Sequence, residues 1–290
     1  MSISINNNLL SLNVANTFNK NTVGLQNSMN ALSTGQKINY AGDDPSGMGI
    51  SERLRTRAQS LEQANKNVQN DSTILKIADN ALSNIAEIIT SMREKVVQAS
   101  DSNLNDTDRA VLSAGVEQLR TQIDNIANKD AKYNGHTFYA TQTNDGNGYR
   151  AKNFTVHWGA DSGDNWDIDF EAMDATSLGL TAAATSTLLA TTTDAPSTSA
   201  GVLTTIDTAL AKVAKEQSKL GTYEQRLGYL SDRAVNERSA IMEMDSLIRD
   251  TDVAQGMSEF MKYNIRTQTS QLMLAQAGQV PAMVLQLLQP

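Results

Sequence analysis

The stretch LRTRAQSLEQANKNVQNDSTILKIADNALSNIAEIITSMREKV, residues 54–96, carries the clearest regularity of the chain. An apolar residue stands at every seventh position, seven times in succession. A companion row from Ile50 to Ala99 is apolar except at Arg57 and Asp71. Apolar steps that alternate between four and three residues are typical of a long helix that packs against partner helices. The predicted core positions of this helix are Leu54, Leu61, Val68, Leu75, Leu82, Ile89 and Val96.

A second register of the same kind lies far downstream, again apolar at seven positions spaced by seven. Between the two, a shorter apolar pattern follows a polar break and predicts a helix that starts near Asp106. The simplest arrangement packs these helices into a rod-like, coiled-coil bundle in which the chain runs out and comes back. The predicted core positions of the downstream helix are Ile206, Val213, Leu220, Leu227, Ala234, Ile241 and Ile248.

The middle of the chain has a different pattern. Apolar residues alternate with period two in FTVHW, residues 154–158, and in WDIDF, residues 166–170, which predicts strands. Gly, Asn and Asp at 144–148 and 160–165 supply turns, so we expect a small β-meander with its own core. Residues 181–200 are mostly Ala, Thr and Ser and predict an exposed linker. The predicted fold class is mainly α, an antiparallel helical bundle with a small β-rich region.

Composition excludes several classes of function. The net charge of −8 and the lack of a Lys/Arg run argue against nucleic-acid binding. The chain has no cysteine, which excludes disulfides and thiol catalysis. It has no run of 18 apolar residues, so membrane insertion is not expected. The N-terminus also lacks the pattern of a cleavable signal. The chain is therefore expected to be cytosolic or exported by another route.

No catalytic, cofactor or metal site is predicted. The two histidines, His136 and His157, have no metal-ligand spacing, and no group of nucleophile, base and orienting residue is present. Four aspartates cluster between positions 161 and 169, but their spacing is not that of a calcium-binding EF-hand loop. We interpret them as solvated turn residues.

Both ends of the chain are amphipathic and nearly uncharged. Residues 1–50 contain four charges and ten Asn, and residues 260–290 contain two charges. The two ends could simply pair within one chain. The scarcity of charge on the outward faces favours burial on all sides, since buried amides can be hydrogen-bonded at lower cost than unpaired charges. Copies of the chain would then cover the ends, and an interface between non-identical patches need not close, which permits an open polymer.

The chain resembles bacterial flagellin over roughly residues 1–135 and 202–290. In the N-terminal part the shared motifs are INNNLLSLNVANTFNKN, LSTGQKINYAGDDPSGMGISERL, VQNDSTILKIADNAL, MREKVVQAS and KYNG. In the C-terminal part they are LSDRAVNERSAI, IRDTDVAQGMSEF and LAQAGQVPAMVLQLL. Each motif alone is weak. Their shared order and their distances from both ends make the resemblance specific.

The resemblance implies a structural filament subunit for swimming motility. Residues 1–44 with 254–290 would form an inner tube, residues 45–135 with 202–253 a surrounding helical layer, and residues 136–201 an outer variable region. The implied filament-interface residues are Ile5, Leu9, Leu12, Phe18, Leu25, Met29, Leu32, Met257, Phe260, Met261, Ile265, Leu272, Val284, Leu287 and Leu288. It also implies folding coupled to assembly.

The implied partners are other copies of the chain, an export chaperone at the C-terminal segment, and the hook-junction and cap proteins. The implied location is extracellular, in the filament, after export without a cleaved signal. Strongly immunostimulatory flagellins carry Arg, Leu and Glu at the places aligned with Ser91, Lys95 and Gly115. These departures predict weak or no activation of the Toll-like receptor for flagellin.

Two alternative functions stay open at this point. A hook–filament junction protein of the same family shares the terminal helices but builds only a short zone. A cytosolic coiled-coil adaptor is also possible, and its ends should be helical and protected in the monomer.

Overall fold

The computed structural model describes residues 8–101, 103–140, 153–181 and 195–287. Its helices are α1 (Leu9–Thr34), α2 (Pro45–Ala99), α3 (Asp106–Asn125), α4 (Ala175–Leu178), α5 (Ala195–Arg249) and α6 (Val253–Leu287), and a π-helical turn, Ile126–Asp130, follows α3. Two antiparallel pairs of strands are β1 (Lys132–Tyr133) with β2 (His136–Thr137), and β3 (Asn153–His157) with β4 (Asn165–Asp169). The predicted fold class is confirmed.

Local side-chain bonds define where two of the helices begin. The side chain of Asn8 accepts a hydrogen bond from the Ser11 N–H at the start of α1. Asn105 does the same for Asp108, and α3 begins at Asp106 as predicted. These bonds satisfy N–H groups that have no partner within the helix. The α1 helix ends at Thr34 and is followed by Gly35, whose φ of 72° is the left-handed conformation that glycine adopts readily.

The chain divides into two compact units. The terminal unit comprises the chain up to Ala58 and from Ser239 onward, and the central unit is Gln59–Arg238. The three filament layers inferred from sequence concern the assembled polymer, and their boundaries stay a prediction.

The central unit contains a continuous apolar core. Eleven core positions inferred from sequence lie in this unit, and each of them is at most 3% exposed. They are Leu61, Val68, Leu75, Leu82, Ile89, Val96, Ile206, Val213, Leu220, Leu227 and Ala234. The other three positions lie in the terminal unit: Ile241 is buried, whereas Leu54 and Ile248 are only half-buried.

Polar bonds fix the register of α2 against α5 in the central unit. Four side chains spaced seven residues apart on α5 each have a polar partner on α2, so the two helices pair antiparallel. Gln217 donates a hydrogen bond to Ser83 at 3.2 Å and Ser231 donates one to Asn65 at 2.7 Å. Glu224 forms an ion pair with Lys76 at 3.6 Å, and Arg238 forms one with Glu62 at 3.0 Å. A shift of either helix would break all four bonds together, as polar positions specify register in coiled coils.

The β-rich region shares the core of the helices. Val156, Ile168 and Phe170 are at most 1% exposed and belong to the same apolar cluster as the α2 and α5 residues. The prediction that this region has its own core is wrong, because an isolated two-stranded sheet cannot bury an apolar face by itself. The hairpin instead packs on α5, where the Trp166 and Tyr223 rings lie 4.9 Å apart.

The linker prediction also needs correction. The α5 helix begins at Ala195, so residues 195–200 are helical rather than part of an exposed linker. The rest of that prediction, and the turn at 144–148, fall on residues outside the described ranges. Among the helices that the structure describes, none has the length and apolar character needed to span a membrane.

Candidate assembly surface

Within the terminal unit, α1 and α6 pack against each other antiparallel. The Asn8 side chain donates to the Ala277 carbonyl at 2.8 Å, and the Asn21 side chain donates to the Ser270 hydroxyl at 2.9 Å. Asn21 and Ser270 are both buried. Buried polar groups require such partners, so this bond favours one register of the two helices.

Small residues let the two helices approach closely. A Cβ added at Gly24 would lie 2.5 Å from Cε1 of Tyr263, and one added at Gly256 would lie 3.0 Å from Cδ2 of Leu32. Any larger residue at Gly24 would displace the tyrosine ring. The contact between α1 and α6 is therefore narrow, and its buried members are small or polar rather than large and apolar.

Both helices expose large apolar residues outside this contact. On α6, Val253, Met257, Met261, Ile265 and Leu272 are between 41% and 73% exposed and follow one face of the helix. The α1 helix also exposes Leu9, Leu10, Leu12, Val23 and Met29. An exposed apolar stripe such as that of α6 is typical of an interaction surface.

Charges are scarce on these two helices. The only charged residue of α1 is Lys20, and those of α6 are Glu259, Lys262 and Arg266. The pair thus carries a net charge of +2 in a chain whose total is −8. Ordinary solvent-exposed helices carry many more charged residues on their outer face. The composition of the pair agrees with a surface that becomes covered.

The predicted interface residues fall into three groups. Those exposed are Leu9, Leu12, Met29, Met257, Met261, Ile265 and Leu272. Phe18, Leu25, Leu32 and Phe260 are half-buried. Ile5 and Leu288 lie outside the described residues, and Val284 and Leu287 lie where only the backbone is described. Sequence periodicity did not separate the first group from the second, and it gave no signal for the buried Asn21–Ser270 bond.

A groove of about 410 Å³ runs along one side of the α1–α6 contact. Its walls include Thr17 and Asn21 from α1, and Arg266, Ser270 and Met273 from α6. Arg266 is the one charged residue among the residues that line it. The groove therefore combines apolar wall, hydroxyl and amide groups with a single cation.

Burial shifts the pKa of two groups in the central unit. Asp71, on α2, is 8% exposed, and its burial raises the pKa of the carboxyl to about 6. Burial also raises the pKa of Tyr139, whose hydroxyl donates to the Ala78 carbonyl at 3.0 Å. In the described part of the chain, no group of three or more His, Asp and Glu side chains could hold a metal ion.

The three positions predicted to depart from immunostimulatory flagellins lie on α2 and α3. Ser91 is exposed, and Lys95 and Gly115 are half-buried. A Cβ at Gly115 would lie 3.6 Å from Cδ of Lys95, which is ordinary van der Waals contact. Lys95 and Gly115 are therefore neighbours on the surface of the central unit.

Family models match both helical parts of the chain. The model described as bacterial flagellin N-terminal helical region matches residues 5–143, and that of the bacterial flagellin C-terminal helical region matches residues 203–288. The chain belongs to the bacterial flagellin family. Flagellin of Bacillus subtilis is 33% identical to this flagellin, and the alignment covers 98% of this chain and 99% of that protein. The flagellar filament 30.7 kDa core protein of Treponema maltophilum is 31% identical with the same coverage.

A solved structure gives the same fold. A flagellar hook-associated protein from Vibrio parahaemolyticus superimposes with a TM-score of 0.59 over 71% of this chain and 99% of its own length. The two sequences are 18% identical, so this likeness concerns the fold alone.

Proposed function

We propose that this flagellin is the structural subunit of a bacterial flagellar filament, and that assembly covers the faces of α1 and α6 that one chain leaves open. The apolar stripe of Met257, Met261, Ile265 and Leu272 supports this proposal most directly. Full burial of one such side chain stabilises by about 1.5–3 kcal/mol. Several of them buried together can offset the loss of translational and rotational freedom on association.

The two ends do pair within one chain, as α1 packs against α6. This pairing covers only one face of each helix. The interface between α1 and α6 is narrow, with Asn21, Ser270 and Ala277 as its buried members. Ordering a residue costs about 1–2 kcal/mol of backbone entropy, which so little apolar burial offsets poorly. We infer that neighbouring subunits complete the ordering of both helices, so that folding of the ends is coupled to assembly.

Charge substitutions on the open face test this function. Ile265→Asp and Leu272→Asp place a carboxylate where a neighbouring subunit would bury it unpaired. We expect that neither variant elongates filament seeds, as measured by sedimentation and electron microscopy. Val111→Asp is the matched control, because Val111 is similarly exposed but lies on α3 in the central unit. Normal filaments from both α6 variants would contradict the proposal.

Truncation tests the same surface more coarsely. Deleting residues 1–30 or 262–290 removes most of one partner of the α1–α6 pair and leaves the central unit intact. We expect a folded, soluble chain that does not polymerise. Polymerisation of the full chain distinguishes the two alternative functions. Long filaments would exclude a hook–filament junction protein, which would form only a short segment between hook and filament. They would also exclude a coiled-coil adaptor, which would form no filament.

Export of the subunit, and contacts with the hook-junction and cap proteins, are expected from the same proposal. The subunit would leave the cell unfolded through the growing filament, without cleavage of a signal, and a chaperone would cover the C-terminal segment beforehand. The open apolar face of α6 is the surface that such a chaperone would need to shield. The mass of the exported subunit should equal that of the full sequence, and a loss of N-terminal residues would contradict this route.

We further propose weak activation of the Toll-like receptor for flagellin. Position 91 carries no guanidinium, and the Lys95 stem lies beside Gly115, where stimulatory relatives carry Leu and Glu. Purified monomer should therefore activate reporter cells poorly. The triple variant Ser91→Arg, Lys95→Leu and Gly115→Glu should gain activity over the parent chain. Strong activation by the parent would contradict the proposal.

A further inference from the structure

The sulfur atoms of this chain are distributed unevenly between the two units. It has eleven methionines and no cysteine. Six methionines, Met29, Met242, Met244, Met257, Met261 and Met273, are 41–56% exposed, and all six lie in the terminal unit. Met92 and Met173 lie in the central unit and are at most 1% exposed. Six methionine side chains are therefore accessible in the terminal unit, whereas the two of the central unit are shielded.

Three of the exposed methionines lie at one level of the α1–α6 pair. The antiparallel contact places Leu32 beside Gly256 and Gly24 beside Tyr263. Met29 on α1 is therefore level with Met257 and Met261 on α6. Both α6 methionines belong to the apolar stripe that continues to Ile265 and Leu272. A chemical change at these three sulfur atoms would alter the proposed assembly surface near the end of α1 and the start of α6.

We propose that oxidation of Met29, Met257 and Met261 controls assembly: peroxide modifies them in the free subunit, and the polymer protects them. This inference rests on the proposed filament function. The thioether sulfur attacks one peroxide oxygen, so that an S–O bond forms and the O–O bond breaks. The sulfur is oxidised by two electrons to the sulfoxide, and the other oxygen of hydrogen peroxide leaves as water.

The product has the opposite solvation preference from the thioether. A methionine side chain is apolar and adapts to irregular surfaces, whereas its sulfoxide is polar and chiral. A neighbouring subunit that covers the stripe would bury the sulfoxide oxygen without a hydrogen-bond donor, which opposes burial. We expect the critical concentration for polymerisation to rise at least about tenfold after oxidation. Enzymatic reduction of the sulfoxides should restore it.

The first experiment maps the modification on the full chain. Free subunits and preformed filaments are treated with hydrogen peroxide, and peptides that have gained one oxygen atom are quantified by mass spectrometry. In the free chain, Met257 and Met261 should react at least about tenfold faster than Met92 and Met173, which act as internal controls. In filaments, Met29, Met257 and Met261 should lose most of this advantage. Equal reaction rates in free and polymerised chains would overturn the inference.

The second experiment links the modification to assembly. The variant Met29→Leu, Met257→Leu, Met261→Leu and the control Met242→Leu, Met244→Leu are each compared with their own untreated samples. The control should keep the peroxide sensitivity of the parent, and the triple variant should lose most of it. The single variant Met261→Leu, which should lose part of the sensitivity, serves if the triple variant does not fold. A triple variant as sensitive as the parent would overturn the inference.

Failure of this inference differs from failure of the proposed function. If untreated parent chain does not polymerise, the filament function is contradicted and the inference falls with it. If untreated chain polymerises and oxidised chain does so at the same critical concentration, only the inference is overturned.

Discussion

The central and terminal units of this flagellin use apolar residues in opposite ways. In the central unit, Leu82, Ile85, Ile89 and Met92 of α2 are fully buried within one chain. In the terminal unit, the large apolar residues Ile265 and Leu272 are mostly exposed, and the contact between helices buries Asn21 and Ser270 instead. The first unit buries a continuous apolar core within one chain. The second leaves large apolar residues exposed, and we propose that neighbouring subunits cover them.

This difference shows that the same helical spacing of apolar residues can produce either a face that is buried within the chain or a face that stays exposed. Apolar residues at helical spacing predict a face that avoids water, but they do not identify what covers it. In α2 and α5 the covering element is the partner helix of the same chain. In α6 the partner helix packs against the side that carries Gly256 and Ser270, and the apolar stripe stays open.

The largest difference between the units should appear on truncating a core residue. Ile89→Ala removes a fully buried side chain and leaves a cavity, so it should lower the free energy of unfolding by about 2–5 kcal/mol. Leu272→Ala is the matched change on the open face and should alter monomer stability by less than about 0.5 kcal/mol. Urea unfolding of both monomeric variants measures the change in the free energy of unfolding. Equal losses of free energy in the two variants would show that the two units do not differ as described.

The buried carboxyl of Asp71 makes the stability of the central unit depend on pH. Its pKa in the folded chain is about 6, against an ordinary value of 3.8, because burial disfavours the charged form. The unfolded chain therefore releases this proton at lower pH, and the stability contribution of Asp71 falls as the pH rises from about 4 to 6. The full loss is about 3 kcal/mol at neutral pH.

The variant Asp71→Asn tests this pH dependence. It should be more stable than the parent at pH 7, and its advantage should disappear near pH 4. Urea unfolding measured at both pH values provides the check, with Glu87→Asn as an exposed-acid control on the same helix. An advantage that does not change with pH would contradict the assignment to the buried carboxyl.

Much of the central unit could be predicted from sequence, because its two long helices pack against each other with a regular seven-residue spacing. The seven-residue rows of α2 and α5 located the residues that the structure buries, from Leu61 to Leu227. The strands also followed from their period of two, but their attachment to α5 did not. That contact depends on Trp166 meeting Tyr223 and Arg226, residues far apart in sequence that no periodicity connects.

The terminal unit was less predictable for a physical reason. Scarce charge indicated a covered surface, but the side of α6 that packs on α1 is chosen by close approach rather than by apolar area. Gly24 and Gly256 permit that approach, and the Asn21–Ser270 bond favours its register. A glycine or an amide within a helix carries no sequence signal that distinguishes such a contact from an exposed position.

The next prediction tests whether close approach holds α1 against α6. The methyl group of Gly24→Ala would meet the ring of Tyr263, so the contact should weaken by about 1–3 kcal/mol, while higher helix propensity offsets up to about 1 kcal/mol. Hydrogen exchange of the α1 and α6 amides should become faster, with no change in α2. Gly278→Ala is the control, because a Cβ there meets no atom within 4 Å. Slower exchange in the Gly24 variant would contradict the packing argument.

The smallest expected effect concerns a polar bond inside the central core. Tyr139→Phe removes the hydroxyl that donates to the Ala78 carbonyl and keeps the ring that lies edge-on to Phe170. We expect a loss of about 0.5–1.5 kcal/mol in the free energy of unfolding, since the Ala78 carbonyl lies within α2 and can still accept a bond from the helix backbone. Polymerisation should be unaffected, because this bond lies in the core of the central unit and not on the proposed assembly surface. A variant that folds normally but fails to polymerise would show that assembly also depends on the central core. The proposed division of roles between the two units would then be wrong.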